Sequence, residues 1–148
     1  MRTLIFLILT ASTPLKFSFC PSPPRMVQHF SYEKPRDEAI PEIKLFLEDE
    51  GFKIVEYAPE DGFMYTDYKV FKWGQGERLL ALVIHIHDKV TITGMGKMEV
   101  PAGSIGESSD IMKIVLLDKL PYVIQKRIFL PLGKKLNDLG YIKINHWP

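Results

Sequence analysis

The chain has 148 residues, the length of one domain, and its 46% hydrophobic and 25% charged content is ordinary for a globular protein. A net charge of +1 without a long run of one sign excludes a strongly basic footprint, so we expect no nucleic-acid partner. The single cysteine, Cys20, excludes an intramolecular disulfide and any zinc site of the CxxC type.

The first 20 residues predict export. The apolar run TLIFLILTA follows one charged residue, as in a secretory signal, and it is shorter than the about 20 residues that span a bilayer. Small residues at 11–13 offer cleavage sites. Cys20 is a candidate lipid attachment point, although Phe19 stands where bacterial lipoproteins carry a small residue. The destination would then be the periplasm or the outer membrane, whereas a start at Met26 would leave the protein cytoplasmic.

A linker and a helix are predicted next. Residues 21–36 contain four prolines and few aliphatic side chains, which is typical of an extended linker before a single domain over 37–148. In the segment DEAIPEIKLFLEDEGF, apolar residues at helical spacing predict a one-sided helix that ends at Gly51. These apolar residues are Ile40, Ile43, Phe46 and Leu47.

Four strands follow with short turns between them. The segments 52–58, 63–73, 77–88 and 89–95 are rich in aromatic and β-branched residues or alternate in polarity. Because the turns are short, the strands are expected to pair as an antiparallel meander.

The last third returns to a helical pattern. Ser108 or Ser109 can cap a helix from Asp110 towards Leu120, and Pro121 and Pro131 interrupt the helical segment that follows. Residues 141–147 predict a short last strand. The fold class is therefore α+β: a four-stranded antiparallel meander packed against the N-terminal helix and a proline-interrupted C-terminal helical segment, an arrangement of the helix-grip kind.

One stretch resembles a known family. Gly51-Phe52 leads into a strand, Glu60-Asp61-Gly62 forms an acidic turn, and Thr66-Asp67-Tyr68 follows, with Trp73 further on. This pattern resembles the repeated domain of the BamC-type lipoprotein of the outer-membrane β-barrel assembly machinery. The resemblance implies a periplasm-facing accessory domain without enzymatic activity.

Two histidines are the strongest candidates for catalytic chemistry. His85 and His87 would share one face of a strand and could supply two of the ligands that a zinc ion needs. The opposite face of the same strand is fully apolar, which favours a buried strand that emerges at a turn. The other two histidines, His29 and His146, lie in the predicted linker and at the C-terminus, and nothing in the sequence places them beside this pair. We therefore predict no metal and no cofactor.

The C-terminal third also carries basic residues beside its apolar stripe, namely Lys119, Lys126, Arg127 and Lys134. Such a helix could lie peripherally on an anionic membrane or in the groove of a partner. The favoured interpretation is a helix that faces the core and has a solvated back.

These observations predict a non-catalytic, exported domain that acts through contacts with an envelope protein, as an accessory of outer-membrane assembly. The predicted interaction surface is the sheet face that would carry Tyr65, Asp67 and Lys69. One alternative is a module that binds a lipid or another apolar molecule between the sheet and the helices of 110–139. A second alternative is a metal-dependent hydrolase that uses His85 and His87.

Overall fold

A computed structural model describes residues 26–72, 76–101, 112–117 and 120–145. These residues form three helices and eight strands, so the fold is α+β as predicted. In chain order the elements are β1 (Val27–Ser31), α1 (Arg36–Asp49), β2 (Ile54–Ala58), β3 (Phe63–Thr66), β4 (Lys69–Lys72), β5 (Glu77–Ile86), β6 (Val90–Pro101), β7 (Met112–Leu117), α2 (Tyr122–Ile128), α3 (Leu130–Asp138) and β8 (Ile142–Ile144).

The strands form one sheet in which every neighbouring pair is antiparallel. Its main path runs β2-β3-β5-β6-β1-β8, while β4 pairs with β5 and β7 pairs with β6 beside that path. The four strands β2, β3, β5 and β6 are neighbours in this order, which confirms the predicted antiparallel meander. β8 lies within the predicted short last strand of residues 141–147 and confirms it. The sheet is wider than predicted because β1 and β7 also belong to it.

The strand predicted over 63–73 is interrupted. The side chain of Thr66 is fully buried, and its Oγ1 accepts a hydrogen bond from the backbone N–H of Leu82 at 2.9 Å. Tyr65 lies opposite Val83, but Lys69 lies opposite Leu80, so an advance of four positions along one strand corresponds to three along the other. A shift of one residue turns the side chains that follow to the other face of the sheet.

The predicted linker over 21–36 is wrong for residues 27–31, which form β1 inside the sheet. Gln28 and Phe30 are buried on one face of β1, with Met26 buried just before it, so the strand contributes to the core. The sequence did not predict this strand, because prolines precede it and it contains a single aliphatic residue. Residues 21–25 of the predicted linker lie outside the described residues.

The helix predicted from Asp110 towards Leu120 is also wrong where the structure describes it. Residues 112–117 form β7, which pairs with the second half of β6. The segment MKIVLL is a short apolar run that fits a buried strand as well as a helix. The predicted caps Ser108 and Ser109 lie outside the described residues.

The three helices cover one face of the sheet, which we call the helix face. α1 begins one residue earlier than predicted and ends before Gly51, whose φ is +76°. α2 follows Pro121, and α3 carries Pro131 in its first turn, so the C-terminal helical segment breaks at Phe129. Apolar residues of α2 and α3 are buried against the sheet, which confirms a helical segment that faces the core: Ile124, Ile128, Leu132 and Leu136.

The core lies between the helices and alternate residues of the central strands. In β5 these residues are fully buried: Leu80, Leu82, Ile84 and Ile86. Val83 and His85 alternate with them on the opposite face, which we call the open face because no described helix lies on it. The predicted alternation of β5 is therefore confirmed.

Two glycines of β6 let the C-terminal helical segment approach the sheet. A Cβ on Gly96 would lie 2.3 Å from Cγ of Leu120, and one on Gly94 would lie 3.0 Å from Cε2 of Phe129. These glycines face Leu80 and Leu82 across the ladder, so the space they leave is on the helix face. The missing side chains make room for the large residues that join the C-terminal helices to the sheet.

A membrane-spanning helix is not found among the described residues, whose helices are too short or too polar to cross a bilayer.

Candidate functional site

The structure does not bring Tyr65, Asp67 and Lys69 together on one sheet face. Tyr65 pairs with Val83 and belongs to the open face, whereas Lys69 pairs with Leu80 and belongs to the helix face. Asp67 lies exposed between β3 and β4, where its Oδ1 accepts a hydrogen bond from the N–H of Tyr68 at 2.7 Å. The shift between β3 and β4 explains why a spacing of two residues did not keep these side chains on one face.

Lys69 instead contacts the C-terminal end of α1. Its Nζ donates a hydrogen bond to the backbone oxygen of Glu50 and lies 5.1 Å and 5.0 Å from the ring centroids of Phe52 and Phe71. α1 has no basic residue in its own last turn. A cation supplied from β4 therefore complements the negative end of the helix dipole, and both rings add cation–π attraction.

The three described histidines, His29, His85 and His87, make separate contacts. The ring of His85 lies 5.2 Å from that of Phe63 on the open face, and the backbone oxygen of His87 accepts a hydrogen bond from Tyr32 at 2.5 Å. His29 lies in β1 and bonds Thr91 through Nδ1 at 3.0 Å, and burial, together with the charge of Lys89, lowers its pKa. Among the described residues no three histidine, cysteine, aspartate or glutamate side chains are grouped as metal ligands would be.

Buried side chains of the central strands and of the C-terminal helices pack into one cluster in the described part of the chain. One cavity between them has a volume of about 110 Å³ and is bordered by Lys69, Phe71 and Arg127, among others. Pockets for drug-sized ligands measure about 300–1,000 Å³. This cavity is smaller than that range and does not support a lipid held at this place.

A larger groove lies between α1 and α3. It has a volume of about 380 Å³, and its lining includes Leu45, Phe46 and Leu139. Leu45 stands one position outside the buried stripe of α1 and is 60% exposed, and Leu139, just after α3, is 42% exposed. Two large aliphatic side chains therefore face solvent at the same groove.

Acidic side chains surround these leucines. Glu42, Asp49, Glu50 and Asp138 line the groove, whereas Lys135 is the single basic residue of its lining. Lys135 is already paired with Glu50, with 2.5 Å between Nζ and Oε1. Asp49 and Asp138 are exposed and make no ion pair with any described residue. The groove thus combines an apolar floor with a negatively charged rim, and we call it the acidic groove.

One carboxylate of the rim is held in place by a buried tyrosine. Oε2 of Glu42 accepts hydrogen bonds from Oη of Tyr141 at 2.6 Å and from Nζ of Lys34 at 2.5 Å. Burial alone would raise the pKa of Glu42, but these two hydrogen bonds and the charge of Lys34 hold it below the ordinary value. Burial and the neighbouring carboxylate raise the pKa of Tyr141, so the phenol stays protonated and donates its proton.

The acidic groove was not predicted from the sequence. Its walls belong to helices far apart in the chain, and the ion pair that joins them links residues 85 positions apart. The one local signal is Leu45, an aliphatic residue outside the apolar stripe of an otherwise one-sided helix. The exposure of Leu45 indicates a binding surface only once the structure places Leu139 in the same groove.

No protein-family model, curated protein or solved structure matches the chain. The similarity of residues 51–73 to the BamC-type domain stays a prediction, and Trp73 of that pattern lies outside the described residues.

Proposed function

We propose that this domain is a non-catalytic protein-binding module that holds a basic amphipathic helix of a partner in the acidic groove. The observation that carries the proposal is the pair of exposed leucines, Leu45 and Leu139, within a rim of four carboxylates. Apolar side chains of a partner helix would cover the leucines, and its lysines or arginines would face the rim. This is the helix-in-groove mode of recognition.

The negative charge of the groove favours basic partner segments over acidic ones. Asp49 and Asp138 have no cationic partner among the described residues, so an approaching basic segment meets unpaired carboxylates. An acidic segment would bring like charges together, which costs free energy at the rim of an interface. The same rim disfavours an anionic membrane surface as the occupant.

The test is titration of the full chain with a designed 16-residue helical peptide that carries leucine on one face and lysine on the other. We expect Leu45→Arg to weaken binding by at least about tenfold, since burying a leucine contributes about 1.5–3 kcal/mol. Fluorescence anisotropy with a labelled peptide gives the dissociation constants. Affinity should also fall as salt rises, because exposed charges are screened.

Val123→Arg is the matched control, because Val123 is 69% exposed on α2 and does not line the groove. It adds the same charge elsewhere and should leave the affinity within about twofold of the parent value, as expected of a surface substitution. Equal losses in the two variants, or equal binding of a matched peptide with glutamate in place of lysine, would refute the proposal. Stronger binding to anionic vesicles than to the peptide would also count against it.

We further propose that this binding takes place in the bacterial envelope, as part of outer-membrane assembly. Support comes from the signal-like pattern of residues 1–20, which lie outside the described residues, and from the resemblance of residues 51–73. We expect intact-mass analysis of the protein from its own host to show cleavage near residues 11–13. A diacylglyceryl mass on Cys20 would indicate a membrane anchor, and a chain that starts at Met26 would contradict export.

A further inference from the structure

The sheet ends in an edge that no described strand covers. β8 is the last strand of the sheet, and its three residues pair with β1 on one side only. Within the described residues, the backbone groups along the other side of β8 have no strand to pair with, as at the open edge of a sheet. An extended peptide can add to such an edge as a further strand.

A second groove runs between this edge and α3. It has a volume of about 420 Å³ and is lined by residues of both elements and by Asn145, which follows β8; the others are Leu130, Gly133, Lys134, Asn137, Ile142 and Lys143. Its lining contains two lysines and no carboxylate. Lys134 and Lys143 are exposed and make no ion pair with any described residue. This groove therefore attracts negative charge.

The register of β8 sets the face of each of its residues. Lys143 lies opposite Phe30, a core residue, so it belongs to the helix face beside α3. Ile142 lies opposite Ser31, and Ile144 lies opposite His29, so both belong to the open face. Ile142 is 58% exposed. Along the edge, the side chains therefore alternate between apolar on the open face and cationic on the helix face.

We propose that β8 is a strand-addition site for an extended segment of a partner protein in which an acidic residue stands between two apolar residues. Opposite residues of neighbouring strands share a face, so the acidic side chain would meet Lys143 within the groove. The two apolar side chains would cover Ile142 and Ile144 on the open face. The site is separate from the acidic groove and does not depend on the function proposed for it.

A second copy of the chain fits this edge less well. A two-fold pairing centred on β8 would place Lys143 directly opposite the same lysine of the other copy. Like charges directly opposite each other destabilise a strand pair. A lysine on an exposed edge is also a known means of preventing self-association of sheets. The charge of the edge therefore favours a partner with an acid at the central position.

The test uses two capped hexapeptides, one alternating valine and glutamate and one alternating valine and lysine, titrated into the full chain. We expect the glutamate peptide to shift the backbone amide signals of residues 142–144 in NMR spectra and the lysine peptide to bind more weakly. Lys143→Glu should reverse this preference by up to about fivefold, the range of a cross-strand charge pair. Lys53→Glu, at an exposed lysine away from the groove, should leave the preference unchanged.

N-methylated peptides distinguish strand addition from simple charge attraction. Alternate amides of an added strand point towards β8, so methylation of one alternate set should abolish binding and methylation of the other set should not. Equal effects of the two sets would refute strand addition. Sedimentation experiments would show whether the chain forms a dimer that dissociates when the glutamate peptide is added. Such a dimer would mean that the edge binds a second copy of the chain, and it would refute the proposal of a different partner protein. Leu45→Arg should not alter this binding, so the two proposals can fail separately.

Discussion

Phe129→Ala is expected to lower the free energy of unfolding by about 3–5 kcal/mol, the range for loss of a buried phenylalanine. Phe129 is 1% exposed and stands at the break between α2 and α3. Its ring occupies the space left by Gly94, where a Cβ would lie 3.0 Å from Cε2. Removing the ring leaves a cavity at the point where both helices meet the sheet.

Urea unfolding of the full chain measures this loss. Val123→Ala is the control, because Val123 is 69% exposed on the neighbouring helix and should change the free energy of unfolding by less than about 0.5 kcal/mol. Similar small losses in both variants would mean that Phe129 does not anchor the C-terminal helical segment.

Gly133→Ala is expected to destabilise the protein by about 1–3 kcal/mol, although alanine is favoured over glycine in helices by about 1 kcal/mol. A Cβ on Gly133 would lie 2.0 Å from Oε1 of Gln28. Gln28 cannot easily turn away, because it is buried and its Nε2 donates a hydrogen bond to the backbone oxygen of Phe129 at 3.0 Å. The clash should therefore outweigh the gain in helix propensity.

A double-mutant cycle with Gln28→Ala identifies the cause. If the clash is with Gln28, Gly133→Ala should cost less in the Gln28→Ala background, with a coupling of about 0.5–3 kcal/mol in chemical denaturation. Lys134→Ala is the control within the same helix, since Lys134 is exposed and should show no coupling. If the losses of unfolding free energy in Gly133→Ala and Gln28→Ala simply add in the double variant, the clash of the added Cβ is not with Gln28.

The predictions that succeeded rest on long, regular patterns. In β5 the fully buried residues of the helix face, Leu80, Leu82, Ile84 and Ile86, stand at every second position, and the turns of the meander are short, so neighbouring strands could be paired. α1 was predicted almost to its ends, because its apolar stripe and Gly51 are both local signals.

The predictions that failed concern elements whose state is set by distant partners. β1 became a strand because β6 and β8 lie on either side of it, and neither is near it in the sequence. Residues 112–117 could have been helix or strand, and pairing with β6 decided in favour of strand. The predicted surface of Tyr65, Asp67 and Lys69 failed through the register shift at Thr66, where a side chain replaces a ladder hydrogen bond.

The pairing of β1 with β8 has a consequence for how the chain folds. His29 lies opposite Ile144, so the first and last strands of the described domain meet only when the chain between them has been brought together. Closing such a long loop is entropically costly, and folds rich in distant pairings fold slowly. During synthesis β1 leaves the ribosome before β6 and β8, the two strands with which it pairs. The side chains of β1 that are buried in the folded protein are exposed until β6 and β8 have been synthesised. The nascent chain is most prone to aggregation or to binding by a chaperone at that stage.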